Sequence, residues 1–424
     1  MGELLKKATS NLAFLGALFI SVGFMIAERT PAPQSIGVAL IFLHPFFNRG
    51  VRPALINLVR SPYAYGLAAY YLLILVSAWH GGNMHEYGTL IFMQLPLVLI
   101  PFGLYKADMF SARQRNIILG ALVGAAVIAG IASFVNYVIH SETINEQIKH
   151  SKPISIVTGV NHIYYSIILA FSAAILQWML FVDRINDRLW RNLAIGGLVI
   201  IVFLLHTISA RTGLVCFYIE VGVSTIWITA RRKKVVPGLF IVAGMALLAF
   251  LSIKFAPSIK NRLDNTKVDI HQYTSGENIN HYSISQRLEA LKIGYGVFKK
   301  NPLTGVGPAN VQNAMYAEYA LEKSQLEQDN RIKPHNQFLY TLVSLGIVGG
   351  LVLCFILFMP FVSGHAFKNY LLLMFLVVCL VAFQFEYMLE RQVGITFFCL
   401  FYGIIGPWAT KAPISRENFS QERK

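Results

Sequence analysis

The sequence predicts an all-α polytopic membrane protein with about twelve transmembrane helices and one large loop that carries short helices of its own. Three features predict it. Of 424 residues, 55% are hydrophobic and only 13% charged, about half the charged share of an ordinary soluble domain. Apolar runs approaching the roughly 20 residues that a helix needs to cross a bilayer core recur twelve times. Lys and Arg fall unevenly on the two sides of those runs.

The runs lie near 10–27, 33–48, 62–80, 88–105, 116–139, 161–182, 190–208, 212–230, 236–255, 336–362, 369–388 and 392–409. Met1 to Lys7 followed by an apolar run resembles a signal peptide. No small-residue cleavage site follows, and Glu28-Arg29-Thr30-Pro31 reads as a loop, so the first run is read as an uncleaved span. The second run is the shortest. The polar break from His206 to Arg211 separates the seventh from the eighth.

With the N-terminus in the cytoplasm, twenty Lys and Arg collect on that side. Five stand in the opposite short loops: Arg29, Lys149, Lys152, Arg211 and Arg391. That asymmetry sets the orientation, because cytoplasmic loops retain basic residues. Nine spans before the long polar stretch put it outside. The chain therefore divides into spans one to nine (1–255), an outer loop (256–335), spans ten to twelve (336–409) and a cytoplasmic tail (410–424). The formal charge of +15 has a membrane explanation, and no nucleic-acid partner is expected. Cys216, Cys354, Cys379 and Cys399 all fall in apolar runs, which argues against a disulfide framework, and no spacing suits zinc.

The outer loop reads in two parts. Residues 256–282 are polar and read as irregular. Residues 283–300 read as a helix, with capping-box spacing at Ser283 and Gln286. Ile284, Leu288, Leu291, Tyr295 and Phe298 form an apolar stripe, with Arg287 on its margin. Asn301-Pro302 ends that helix, Gly305-Val306-Gly307-Pro308 makes a tight turn, and a second helix covers about 309–327 with Glu318, Glu322 and Glu327.

No Gly-rich loop ends in Gly-Lys-Ser/Thr, so a Walker-type nucleotide site is not expected. No Asp-x-Asp pair or His/carboxylate cluster in the loop suggests a metal. A reaction here must use an already activated substrate. Arg211 opens the eighth span on the outer side and reads either as a snorkelling interfacial cation or as an anion ligand. In the second reading the helix N-terminus, the guanidinium fork and the hydroxyls of Ser209 and Thr212 act together. Arg287 is a solvated helix charge or a partner in the same task. His335, fixed by Pro334 at the first turn of a span, is a structural interfacial histidine or a base that takes a proton near pH 7. Asn336 caps that span or orients a substrate.

Glu220, about nine residues into a span, is a functional candidate or a hydrogen-bonded packing residue. Glu386, Glu390 and Arg391 read first as a structural ion-pair group. Lys299, Lys300, Arg331 and Lys333 read as a basic rim that draws anionic head groups. His140, His150 and His162 are left as loop residues.

Ser209-Ala210-Arg211-Thr212-Gly213 after an apolar helix resembles one signature of the O-antigen ligase/polymerase superfamily. Four further segments, Ser285-Gln286-Arg287, Asn301-Pro302-Leu303-x-Gly305-x-Gly307, Pro334-His335-Asn336-Gln337-Phe338-Leu339 and Gly346-x-x-Gly349, resemble the rest of it. Each is short. Their order and placement around one outer loop carry the resemblance, which covers about 195–360. Within the superfamily the chain is most similar to the lipopolysaccharide O-antigen ligases.

The resemblance implies a GT-C-like membrane bundle in the bacterial inner membrane and a metal-independent, inverting glycosyl transfer at its periplasmic face, with no cofactor. The implied donor is O-antigen on undecaprenyl diphosphate and the implied acceptor a sugar hydroxyl of lipid A–core. Arg211 and Arg287 would hold the diphosphate and His335 would act on the acceptor hydroxyl. Ser209, Asn336, Lys333 and Arg331 would add substrate contacts. The sister O-antigen polymerases and protein O-oligosaccharyltransferases share these motifs. A polymerase often carries two sizeable outer loops, and a protein-directed enzyme a longer C-terminal region. A transporter also fits twelve spans, but the halves show no repeat.

Overall fold

The computed structural model describes residues 11–149, 154–208, 210–233, 235–255, 257–276, 279–280 and 282–411. Every regular element among them is helical. Eight helices are long and apolar enough to cross a membrane, and four shorter apolar ones cover 12–26, 32–47, 238–251 and 370–385. Together they occupy the twelve positions expected, as a multi-pass membrane protein. The third and fourth are built in two pieces: Pro62–Val76 runs into Ser77–His80, and Met84–Gln94 breaks at Leu95 before Pro96–Gly103. Pro96, which has no N–H to give, makes that second break.

His162–Phe181 is buried along most of its length and forms the centre of the bundle. Phe171 packs edge-on against Phe375 at 5.3 Å and Phe401 at 5.2 Å. The helices Arg211–Arg232 and Tyr370–Phe385 run antiparallel beside it. Cys216 Sγ donates to the Val378 carbonyl at 3.7 Å, and Ser224 Oγ meets the Tyr370 hydroxyl at 2.7 Å. Glu220 belongs to this seam. The Gln177 amide donates to its Oε2 at 3.0 Å, and Gln177 Oε1 accepts from Ser224 at 2.8 Å. The packing reading of Glu220 therefore has one hydrogen bond, to Oε2, while Oε1 is buried with no partner among the described residues.

The basic residues expected on the cytoplasmic side gather at one end of the bundle. Arg232 donates to the Phe181 carbonyl at 2.7 Å and Arg231 to that of Phe367 at 3.1 Å. Arg115 lies over the Trp408 ring at 3.9 Å, and Lys411 bonds Asp108 at 3.1 Å. Lys6, Lys7, His150, Lys152, Lys234 and all but the first two residues of the expected tail lie outside the described residues.

At the other end, five local expectations are corrected. Residues 257–275 form the helix Pro257–Ser275, not an irregular stretch. It is mostly polar, with only Ile259, Leu263, Ile270 and Tyr273 spaced to share one apolar face. The capping box is absent, since Ser283 already lies inside the helix Ser283–Lys300, whose N-cap is Tyr282 with no side-chain cap bond. Asp269 does the capping from the preceding helix. Its Oδ2 accepts from the Ile284 N–H at 2.9 Å, and its carbonyl accepts from Ser285 Oγ at 2.6 Å. Gln286 turns instead to the Asn280 carbonyl at 2.6 Å.

The apolar stripe is not the buried face. Ser285, Glu289, Ala290, Ile293, Gly294 and Val297 are buried, while Tyr295 is exposed. The reason is close approach: a Cβ on Gly294 would stand 2.7 Å from Pro334 Cγ, so small residues must face inward. The second loop helix is shorter than expected, Val311–Leu321 behind a turn at Pro308–Asn310. Glu318 bonds Lys300 on the first loop helix. The loop helices share a core of their own, including Ile293, Val297, Met315 and Tyr319, which reaches into the tenth span at Tyr340 and Val343.

The tenth span, expected as one helix, is Gln337–Val362 broken at Gly346 (φ 66°, ψ −162°). The break orphans two donors and two acceptors, and the segment 302–307 satisfies all four. Val306 and Gly307 donate N–H to the carbonyls of Val343 and Ser344, each at 2.9 Å. Ile347 and Val348 donate to those of Pro302 and Leu303 at 2.8 and 3.4 Å. Irregular backbone at membrane depth persists only where protein completes its hydrogen bonds. A Cβ on Gly346 would meet the Leu303 oxygen at 2.2 Å, and one on Gly305 the Ser344 carbonyl carbon at 2.5 Å. Gly346→Ala is therefore expected to cost at least about 1–3 kcal/mol, read as a lowered unfolding temperature in detergent. An unchanged temperature contradicts the splice.

Candidate functional site

Arg211 is the first residue of its helix, behind the extended N-cap Ala210. The N-terminal turn is pressed against His162–Phe181, where a Cβ on Gly213 would stand 2.3 Å from Ser166 Cβ. That contact fixes the direction in which the helix N–H groups and the Arg211 side chain leave the bundle. Arg211 and Arg287 are both half-buried, and Arg211 lies within electrostatic reach of Arg287 and Asp269. Neither arginine makes a hydrogen bond or ion pair to another described residue. Two unpaired guanidinium groups have thus been brought together beside a helix N-terminus, an arrangement suited to a polyvalent anion.

Asp269 is a carboxylate within electrostatic reach of Arg211. Burial pushes its carboxyl up, while the Ile284 N–H and Arg211 pull it back. Sequence reasoning missed this residue because its helix is mostly polar and its sparse apolar face was not read as one. The Pro257 start and the Asp264–Lys267 pair at 3.6 Å are the signals that the helix does offer.

His335 stands at the same end of the bundle. Register places it there: Cys216 lies opposite Val378 and Ser224 opposite Tyr370, so Arg211 comes level with Phe383. Asn336 reaches the same height, its Nδ2 donating to the Gln384 carbonyl at 3.3 Å. Asn336 Oδ1 also accepts from the Leu339 N–H at 2.9 Å, which makes Asn336 the N-cap of the span, as expected. The Arg287 helix touches the same loop through Gly294 and Pro334, about 10 Å along its axis from Arg287.

The imidazole itself is held on two sides. His335 Nδ1 lies 3.2 Å from Glu386 Oε2, with the two side chains 20% and 6% exposed. The Tyr387 ring meets the imidazole edge-on at 5.1 Å and is stacked in turn on buried Tyr340 at 5.3 Å. Glu386, expected in an ion-pair group with Glu390 and Arg391, is bonded to the histidine instead. It sits past the end of Tyr370–Phe385, where extended backbone turns the chain back toward His335.

The basic rim is less free than the sequence suggests. Arg331 Nε donates to the Leu326 carbonyl at 3.0 Å and its guanidinium lies over Tyr319. Lys333 is half-buried, and burial lowers its ammonium pKa against the pull of Glu390. Glu390 is buried and pushed up to about 7, with Lys333 opposing. Lys300 is bonded to Glu318, and Lys299 lies over the Tyr295 ring at 4.5 Å. Ser209 lies outside the described residues, and Thr212 is buried. Among the described residues, no group of three or more His, Cys, Asp or Glu is assembled in metal-binding geometry.

Two comparisons bear on identity. Residues 196–354 match a family model described as O-antigen ligase, a stretch that contains Arg211, Arg287 and His335. No curated protein matches the chain.

Proposed function

We propose that this chain, whose residues 196–354 match the O-antigen ligase family model, is a member of that superfamily and transfers O-antigen polysaccharide from undecaprenyl diphosphate to lipid A–core. The reaction takes place at the periplasmic face of the Gram-negative inner membrane, with residues 256–335 as the periplasmic unit. The observation that carries this reading is the pair of unpaired guanidinium groups, Arg211 and Arg287, set at the same end of the bundle as a carboxylate-bonded histidine.

In the proposed mechanism the acceptor hydroxyl attacks the anomeric carbon and the bond to the diphosphate oxygen breaks. The configuration inverts, and the hydroxyl proton passes to His335. Negative charge grows on the diphosphate as it leaves. Arg211 and Arg287 stabilise that charge where it develops, with no metal needed to neutralise it. Asn336, with Oδ1 capping the span and Nδ2 bonded to Gln384, fixes the turn that carries the histidine. Arg331 and Lys333 play at most an indirect part, since their charges are occupied within the protein.

Purified protein, lipid-diphosphate donor and lipid A–core are expected to give polymer-capped product on a gel in the presence of EDTA. Loss of product with EDTA, restored by magnesium, sinks the metal-independent reading. A deletion strain separates the sister activities. Unligated polymer on the lipid carrier supports a ligase, whereas single repeat units identify a polymerase.

A further inference from the structure

We infer that Glu386 is a positioning residue for His335: its carboxylate accepts the Nδ1 proton and so leaves the Nε2 lone pair facing the acceptor hydroxyl. The inference rests on the transferase reading above and adds a residue to it. Three observations carry it. The Nδ1–Oε2 separation is 3.2 Å, with the carboxylate the more buried partner at 6% exposure. Glu386 Oε1 is itself held by the Tyr387 N–H at 3.3 Å, so the carboxylate is anchored to the adjacent main chain before it meets the imidazole. Tyr387 closes the ring's other side, and its stacking on Tyr340 prevents the imidazole from swinging away.

A neutral imidazole has one donor and one acceptor nitrogen, and the bond made by one fixes the role of the other. With Nδ1–H given to Glu386, Nε2 accepts. When Nε2 takes the acceptor proton, the resulting imidazolium lies against a carboxylate that stabilises it, as in the histidine–carboxylate pairs of acyl-transfer enzymes. The charged and titratable groups around the pair are Tyr387 and Arg391 on the same turn, Tyr164 on the central helix, and Lys333 with Glu390 behind it. Glu386, Tyr387 and Arg391 all act on buried Tyr164, whose hydroxyl has no hydrogen-bond partner among the described residues, so the central helix backs the dyad.

The test uses the full-length protein in the reconstituted transfer assay. Glu386→Gln keeps the shape but presents an amide that can hold the wrong tautomer. Its kcat is expected to fall about 10- to 100-fold, the size of loss seen when a histidine is deprived of its orienting partner, with the donor KM unchanged. Glu386→Asp is expected to recover part of the rate. In a His335→Ala background, Glu386→Gln is expected to add no further loss, because there is no imidazole left to orient. A purely structural carboxylate would instead multiply the loss, lower the unfolding temperature and leave Glu386→Asp as inactive as Gln. Any of those results, or wild-type kcat for Glu386→Gln, overturns the dyad. If the wild-type protein itself transfers nothing, the transferase reading falls and the dyad with it. An active wild type with an indifferent Glu386 removes the dyad alone.

Discussion

Replacing Arg287 with alanine is expected to lower transfer by about 10²–10³-fold, the loss of one donor aimed at developing charge, on the order of 3 kcal/mol, without lowering stability. Both halves follow from the same geometry. Arg287 makes no hydrogen bond or ion pair to another described residue, and it adds a like charge beside Arg211. Removing it therefore breaks no hydrogen bond or ion pair to a described residue and relieves a repulsion with Arg211. The unfolding temperature in detergent is expected to hold or rise while polymer-capped lipopolysaccharide disappears from a gel. A residue kept at a cost to the fold is the mark of a site built for something else. Arg211→Ala is expected to lose activity to the same degree. Lysine at either position should restore only part of it, since an ammonium is a point charge and the guanidinium a fork matched to phosphate oxygens. Wild-type transfer by Arg287→Ala would remove the diphosphate site as proposed.

His335→Ala is the second large effect, and its kinetic signature should differ. The base acts only as the bond breaks, so kcat is expected to fall about 10²–10⁴-fold while the donor KM stays near wild type. In the proposed reaction the arginines hold the diphosphate before and during bond breaking, so their variants should also weaken donor binding. His335 lies 3.2 Å from Glu386 and against Tyr387, so its loss leaves a small void and a carboxylate without its partner. A modest fall in stability is expected beside the large fall in rate. A His335→Ala protein that retains wild-type kcat, or that loses activity through donor KM alone, contradicts the role of base.

The parts of this protein legible in the sequence were those set by run length and by order. Twelve apolar segments stand where the hydropathy put them, because membrane crossing imposes a length that needs no tertiary knowledge. Asn336 as a cap and Arg211 as the first residue of a span were readable for the same reason, since both are decided within a turn of their own position. What stayed hidden was decided by partners far along the chain. Asp269 caps the Ser283–Lys300 helix from another helix, so Ser283, well placed for the task by spacing, is not used. The stripe from Ile284 to Phe298 promised the wrong face, because Pro334 presses on Gly294 and proximity outranks hydrophobicity there. The Gln337–Val362 run is apolar throughout and gives no composition cue for its break. Gly346 was visible only as a motif residue, and its meaning lies in the segment 302–307, some forty positions earlier.

The Ser283–Lys300 helix feeds directly into the segment spliced at Gly346, and His335 stands just ahead of the half-helix that ends there. The arginine and the histidine are thus suspended from opposite arms of one joint made of main-chain atoms. The span between the two groups is therefore set by main-chain hydrogen bonds and by the close packing at Gly305 and Gly346, and substitutions of the side chains around the joint leave it unaltered.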